Sequence, residues 1–297
     1  MRATIRWSLT VVFGALVLAT SLSAQKQGQI FLSITSPDGK RVEGVTTQDV
    51  TVTEDGTSCK TTKVEAVDWP TKLQILVDNG RSNTNPINPL RDGLKGLLAE
   101  LPDGVEVSLY TTAGSVRPVV KPTTDKQKVV DAIPLVAPDS GAGMFFDALF
   151  EASERADKDK MPGYPMIVMI GSDFGTVRAL DRDFQKLQMN IFNHGIKTFI
   201  VLNVGGQGGV AGGAQVDIGI NVAKMSGGRY ENINGTTRLA TLLPEIGKQL
   251  AESIKVQSHQ YRVTYDVCSK PNDKGGTAIG AEVRKDGAVK LSLRGTQ

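Results

Sequence analysis

An aspartate and a serine follow an apolar run at a spacing that suits cation binding. In the stretch LQILVDNGRSN the run ends at Asp78, and Gly80 and Ser82 occupy every second position after it. Carboxylate and hydroxyl oxygens are ligands that Mg²⁺ accepts. Asp78 has a second interpretation, because an aspartate also caps a turn by accepting a hydrogen bond from the backbone amide two residues on. These residues alone leave both interpretations open.

Catalytic chemistry has little support in the sequence. The two histidines are His194, near the end of a predicted amphipathic helix, and His259, at the start of a predicted strand. Neither has a neighbouring nucleophile and acid that the sequence pairs into a triad. Asp78 also lacks the second aspartate, two residues later, of haloacid dehalogenase phosphatases. We therefore expect no enzyme.

The middle of the chain predicts the fold that must position Asp78. From Lys72 to about residue 254, apolar runs of a few residues alternate with helical stretches, among them 125–133 and 178–194. This alternation predicts βαβ units in a doubly wound, mainly parallel α/β sheet covered on both faces. Ligands of such sheets bind beyond the carboxyl ends of the strands. Asp78 lies at the end of the first central strand.

The two flanks predict a second, smaller unit. Residues 29–67 and 258–297 alternate apolar and polar side chains between turns, which is typical of antiparallel strands. Neither flank has enough strands of its own, so we expect both to build one small antiparallel β domain. The predicted division is 1–24 signal peptide, 25–68 and 258–297 the small β domain, and 69–257 the α/β domain. The glycine-rich segment at 203–215 lacks the lysine and hydroxyl of a nucleotide-binding loop, and we expect a loop without fixed conformation.

The first 24 residues have the layout of a secretory signal peptide. Arg2 and Arg6 precede a short apolar run and then small residues, and the run is short for a membrane span. We expect a secreted or periplasmic protein; the alternative is an uncut membrane anchor. Removal takes away two arginines and no acid, so the formal net charge of +3 becomes +1. This balance predicts no nucleic-acid partner and, once the segment is cut, no membrane partner.

The two cysteines stand one in each flank. Cys59 follows the turn EDGTS, and Cys268 ends the predicted strand YRVTYDV. Because an exported chain meets an oxidising compartment, a shared β domain predicts a disulfide between them. The alternative is two separately buried thiols.

Several motifs resemble the von Willebrand factor type A domain. Its metal-ion-dependent adhesion site begins with Asp-x-Ser-x-Ser at the end of the first central strand, as Asp78 to Ser82 does in part. GMFFDALFEA resembles its second ligand loop and helix, and MIVMIGSDFGT its strand and loop with a further aspartate. The flank motifs DVTVTEDG and QYRVTYDV are similar to exported von Willebrand A-related proteins of acidobacteria. The resemblance implies metal ligands at Asp78, Ser82 and Asp173, with Ser172 replacing Asp173 if the register shifts by one.

The chain departs from the family pattern at two ligand positions. Gly80 stands where the family has its first serine, and Gly143 where it has a threonine. Glycine has no side-chain oxygen, so we expect any Mg²⁺ or Mn²⁺ to bind weakly to a degenerate site. Gly80→Ser and Gly143→Thr would then raise metal affinity, provided that both glycines have negative φ.

These observations lead to two function hypotheses. The first is a secreted or periplasmic binding module that recruits an unknown protein or peptide at the C-terminal edge of the parallel sheet. The alternative is a structural or assembly protein of the cell envelope that uses the α/β domain as a metal-free scaffold.

Overall fold

The computed structural model describes residues 26–38, 40–84, 86–161, 163–174, 181–205, 209–257, 260–268 and 278–292. The predicted signal peptide at 1–24 and His259 lie outside these residues. Among the described residues, no helix is both long enough and apolar enough to cross a membrane.

Thirteen strands and seven α-helices are described. The strands are β1 (Gln27–Thr35), β2 (Val50–Glu54), β3 (Thr57–Cys59), β4 (Thr61–Val67), β5 (Thr71–Val77), β6 (Glu106–Thr111), β7 (Arg117–Thr123), β8 (Tyr164–Ser172), β9 (Lys197–Asn203), β10 (Arg229–Ile233), β11 (Gln260–Asp266), β12 (Ile279–Val283) and β13 (Ala288–Ser292). The helices are α1 (Arg81–Thr84), α2 (Asn88–Glu100), α3 (Lys126–Ala132), α4 (Phe145–Lys158), α5 (Asp181–His194), α6 (Gly209–Ser226) and α7 (Leu239–Gln257).

The central sheet has six strands in the order β10-β9-β8-β5-β6-β7. All neighbouring pairs are parallel except β6 and β7. Every residue of β8 is buried, as expected for a strand with helices on both faces. The predicted doubly wound, mainly parallel sheet is confirmed.

Helices cover the sheet on both sides. One face packs against α2, α3 and α7, and the other packs against α4, α5 and α6. Glycines let α2 and α7 approach closely, because a Cβ on Gly93 would lie 2.4 Å from the carbonyl oxygen of Leu239 and one on Gly247 would lie 2.8 Å from that of Leu97. These layers fix the strands whose ends carry the site.

The flanks fold together, as the predicted fold class requires. Sheets of order β13-β1-β11-β4 and β12-β2-β3 combine strands from both ends of the chain around a shared apolar core. The disulfide between Cys59 and Cys268 joins them, with 5.4 Å between the Cα atoms, and confirms that prediction. Buried Glu54 accepts hydrogen bonds from the Tyr265 hydroxyl and the Cys268 backbone amide, each at 2.9 Å. The exact domain boundaries stay a prediction.

Some predicted elements differ from the observed ones. The helix predicted at 125–133 is α3, with Asp125 as its N-cap, and the one predicted at 178–194 is described from Asp181 on. The expectation of an unstructured glycine-rich segment is wrong from Gly209 on, where α6 begins. Gly212 allows α6 to lie close to Asp173, because a Cβ at position 212 would be 2.9 Å from the carbonyl oxygen of Asp173. The missing side chain lets α6 pack against the end of β8.

Candidate functional site

The end of β5 carries Asp78 into the middle of the sheet's C-terminal edge. The Asp78 amide donates to the carbonyl of Ile170 over 2.8 Å, and the Thr112 amide donates to the carbonyl of Val77 over 2.9 Å. The backbone ladder therefore continues one residue beyond β5 on both sides. Asp78 is fixed between the ends of β6 and β8, where an open α/β sheet binds its ligands.

Both carboxylate oxygens of Asp78 accept hydrogen bonds from the protein. Oδ1 accepts from the Gly80 amide over 2.8 Å, and Oδ2 accepts from the Ser172 hydroxyl over 2.6 Å. Only 2% of Asp78 is exposed. Burial raises the pKa of the Asp78 carboxyl above its ordinary value, and these two hydrogen bonds oppose the shift. Among the described residues, no cationic side chain pairs with Asp78.

Two glycines lie directly against the Asp78 carboxylate. A Cβ on Gly143 would lie 2.3 Å from Oδ2, and one on Gly80 would lie 2.9 Å from Oδ1. Neither glycine has a positive φ, so the backbone condition for restoring the family's hydroxyls is met. The space condition is not met at Gly143, because the carboxylate occupies the position that a threonine would need.

Ser172, rather than Asp173, contacts Asp78 from the end of β8. Successive residues of an extended chain point to opposite sides. The Asp173 amide donates to the carbonyl of Asn203 over 3.0 Å, and its Oδ1 lies 3.9 Å from the position of a Cβ on Gly205. Asp173 is buried beside the loop after β9. Ser172 was the alternative that a one-residue shift in register allowed.

The backbone of Ser82 lies within the short helix α1. Its side chain lies outside the described part of the structure. The three residues Asp78, Ser82 and Asp173 therefore remain a predicted ligand set. Of these, the structure places Asp78 and Asp173 at the same sheet edge and links Asp78 to Ser172.

Asn79 organises the loops around the site and was not singled out from the sequence. Its Nδ2 donates to the carbonyl of Ala137 over 2.8 Å, and its Oδ1 accepts from the Ala113 amide over 3.2 Å. Its own carbonyl accepts from the Asp139 amide over 2.9 Å. One side chain and one peptide thus tie three loops together. Asp139 also pairs with Arg117, and the Gly141 amide and Arg117 hold the pKa of the Asp139 carboxyl below its ordinary value.

The described residues offer fewer side-chain ligands for magnesium than the family pattern does. Mg²⁺ needs six oxygens in near-octahedral geometry. Both Asp78 oxygens accept hydrogen bonds from the protein, Ser172 donates its one hydroxyl hydrogen to Oδ2, and the two glycines add no oxygen. Fully buried Asn83 and Thr112 have side-chain polar atoms with no hydrogen-bond partner among the described residues.

His194, the histidine within the described residues, lies far from the C-terminal edge of the sheet. His194 ends α5 and its Nε2 lies 2.8 Å from Oδ1 of Asp157. It lines a cleft at the opposite, N-terminal edge of the sheet. The structure does not bring His194 to Asp78.

No protein-family model and no curated protein sequence matches this chain. Solved structures do match, and a von Willebrand factor type A protein from Catenulispora acidiphila aligns over 92% of this chain and 73% of its own, with 11% identity and a TM-score of 0.50. The protein has a von Willebrand A-like fold. The pilus adhesin SpaC from Lactobacillus rhamnosus GG matches the same fold over 82% of this chain, with 10% identity and a TM-score of 0.50.

Other solved structures match a smaller share of this chain. Proximal thread matrix protein 1 from the mussel byssus aligns over 64% of this chain, with 16% identity and a TM-score of 0.46. The chain covers 50% of the byssus protein and 46% of the adhesin. At these identities the likeness establishes the von Willebrand A-like fold alone.

Proposed function

We propose that the protein is an exported binding module that recruits a protein or peptide partner at the C-terminal edge of its parallel sheet. Its adhesion site is degenerate, so any Mg²⁺ or Mn²⁺ binds weakly and partner recognition does not depend on it. No catalytic step is assigned to the module. The similarity to a pilus adhesin agrees with the proposal at the level of fold.

Phe174 is the observation that carries this proposal. It directly follows the buried pair Ser172 and Asp173, and yet 54% of its own surface is exposed. An exposed aromatic side chain beside a fixed polar edge is what a binding surface needs, since aromatic anchors dominate interface energies. The family usually has glycine at this position, so Phe174 gives this edge a contact of its own.

The rigidity of the edge supports recognition without a metal. Asn79 ties the loops that contain Ala113 and Ala137, and Ser172 holds the Asp78 carboxylate. A surface that is ordered before binding loses less conformational freedom on association. Hydrogen bonds thus take over the ordering role that a cation would have.

The disulfide supports export of the module. Disulfides persist in secreted and periplasmic proteins and are rare in reducing compartments. The bond between Cys59 and Cys268 also closes the β unit that joins both ends of the described chain. We propose a secreted or periplasmic location on this ground and on the predicted signal peptide.

Capture of the partner from periplasmic and medium fractions tests the proposal. Phe174→Ser should abolish capture, whereas the control Phe192→Ser should not, because Phe192 is similarly exposed at 51% but lies on α5. Addition of EDTA should leave capture unchanged. Capture that survives both Phe174→Ser and Asp78→Ala would favour the alternative, an envelope or assembly protein in which the α/β domain is a scaffold.

A further inference from the structure

A cleft of about 300 Å³ lies at the N-terminal edge of the central sheet, opposite to Asp78. The C-terminal end of α4 forms one wall, and the end of β7 forms the other. The first halves of β5 and β6 form the floor. This volume is at the lower end of the range for small-molecule sites.

The floor of the cleft is polar where the fold calls for apolar residues. Strands buried between two helical layers are normally apolar on both faces. On the face towards α4, however, β5 presents Lys72 and Gln74, and β6 presents Glu106, Ser108 and Tyr110. The opposite face of the same strands is apolar and packs against α2, α3 and α7. Packing of the fold therefore does not account for these polar residues.

Arg155 of α4 lies over this floor and is held through one side of its guanidinium. Its Nε donates to Oε1 of Gln74 over 2.7 Å, and Gln74 is itself held by a bond from Nε2 to the carbonyl of Ala152 over 3.0 Å. The guanidinium carbon lies 4.2 Å from the centre of the Tyr110 ring. Burial lowers the pKa of the Arg155 guanidinium from its ordinary value.

The two terminal nitrogens of the Arg155 guanidinium, Nη1 and Nη2, lack strong partners among the described residues. Nη1 lies 3.5 Å from Oε2 of Glu151, and buried Nη2 has no hydrogen-bond partner in the described part of the chain. Leaving a charged donor unpaired is costly. A carboxylate pairs with such a fork through two parallel hydrogen bonds. Because Nη2 is shielded from water, this pairing needs a small rotation of the guanidinium over the Tyr110 ring.

Arg155 has the longest ion pair among the cations that line the cleft. Lys72, Arg155 and Lys158 are cationic, and Glu106 and Asp159 are anionic. Lys72 and Asp159 pair with each other at 2.6 Å. Lys158 lies 3.4 Å from Glu154, and Arg155 has, among the described acids, only the 3.5 Å contact with Glu151. A single carboxylate would therefore complete the pairing of Arg155, while a dianion would be repelled by Glu106 and Asp159.

The walls of the cleft suit an apolar body attached to that anion. Pro122 and Pro165 are rigid apolar rings, and Met161 stands at the rim with 70% of its surface exposed. Methionine adapts to ligands of different shape. We propose that this cleft binds a small organic monocarboxylate with a flat apolar body, with Arg155 pairing with its carboxylate. The site is separate from the partner surface at the C-terminal edge.

Titration with 2-naphthylacetate and its neutral amide, 2-naphthylacetamide, tests the site in the full chain with ¹³C-labelled methionine methyl groups. The Met161 methyl resonance, assigned with Met161→Leu, should shift with the acid. The Met189 resonance should stay unchanged, because Met189 is similarly exposed at 60% but does not line the cleft. The amide should bind about tenfold more weakly or worse, since it lacks the charge-assisted pair.

Substitution of Arg155 tests its role in binding the carboxylate. Arg155→Gln should weaken binding of 2-naphthylacetate about tenfold or more, and the control Arg238→Gln, on the far side at the start of α7, should not. Absence of a Met161 shift, equal affinity for acid and amide, or unchanged affinity of Arg155→Gln would overturn the proposal. If Arg155→Gln fails to fold, the comparison of acid and amide on the unmodified protein decides.

Discussion

Ser172 donates its hydroxyl hydrogen to Oδ2 of Asp78 over 2.6 Å, across the adjoining ends of β8 and β5. The two residues lie 94 positions apart in the chain. In the family that the sequence resembles, a cation is held at this edge. Here a direct hydrogen bond joins the strand ends.

Removal of the Ser172 hydroxyl should destabilise the fold. Ser172→Ala leaves Oδ2 of a buried carboxylate without its donor, and we expect the free energy of unfolding to fall by about 1–3 kcal/mol. Urea denaturation at neutral pH measures this. Ser140→Ala is the control, because Ser140 is exposed on a neighbouring loop, and it should change the free energy by less than about 0.5 kcal/mol. Equal effects of the two substitutions would contradict the role of the hydrogen bond.

The raised pKa of Asp78 predicts how stability depends on pH. A carboxyl group with a raised pKa binds its proton more tightly in the folded state, so its contribution to stability falls as pH rises. The fall begins near the unfolded value of about 3.9 and ends above the raised folded pKa. The free energy of unfolding of the wild type minus that of Asp78→Asn should therefore decrease across this window. A difference that increases with pH would mean that a cation faces the carboxylate.

The glycine at position 143 should resist substitution. A Cβ there would lie 2.3 Å from Oδ2 of Asp78, so Gly143→Ala should lower the free energy of unfolding by about 1–3 kcal/mol through overpacking. Gly213→Ala is the control, because a Cβ on this helical glycine meets nothing within 4 Å. It should stabilise the protein by up to about 1 kcal/mol. Thermal melting of both variants compares them, and a Gly143→Ala protein as stable as the wild type would contradict the described packing.

Removal of the disulfide should cost more than any of these changes. Cys59 and Cys268 are 209 positions apart, and loss of such a bond from a secreted domain typically lowers the free energy of unfolding by about 2–5 kcal/mol. Cys59→Ser with Cys268→Ser, measured by urea denaturation, gives the value. Mass spectrometry of non-reduced tryptic peptides should recover the two cysteines in one linked species. Two free thiols in the exported protein would contradict the bond.

The strands that are buried on both faces could be predicted from the sequence. The two edge strands of the central sheet could not. β5, β8 and β9 read as apolar runs because helices cover both of their sides. β7 was not predicted, since Pro118 and Pro122 argue against a strand and only an edge strand tolerates them. β10 was not predicted either, because it is a short edge strand and mostly half-buried.

The place of Asp78 at the sheet edge was predictable from the sequence, whereas the contacts around Asp78 were not. Asp78 is recognisable because it ends an apolar run in an α/β pattern. The choice between Ser172 and Asp173 is not, because a slip of one residue sends a side chain to the opposite side of the strand. Asn79 gives no local signal, since its partners Ala113 and Ala137 lie 34 and 58 residues away in sequence. The two cysteines were paired correctly because two cysteines allow only one pairing.

Photocrosslinking from the exposed edge tests the central claim most directly. Phe174→p-benzoylphenylalanine and the control Phe192→p-benzoylphenylalanine would be exported from the native host and irradiated in EDTA. We predict one discrete crosslinked partner from position 174, identified by mass spectrometry, and none of that mass from position 192. The same products from both positions, or a product at 174 that forms only when Mg²⁺ is restored, would contradict metal-independent recognition at the C-terminal edge.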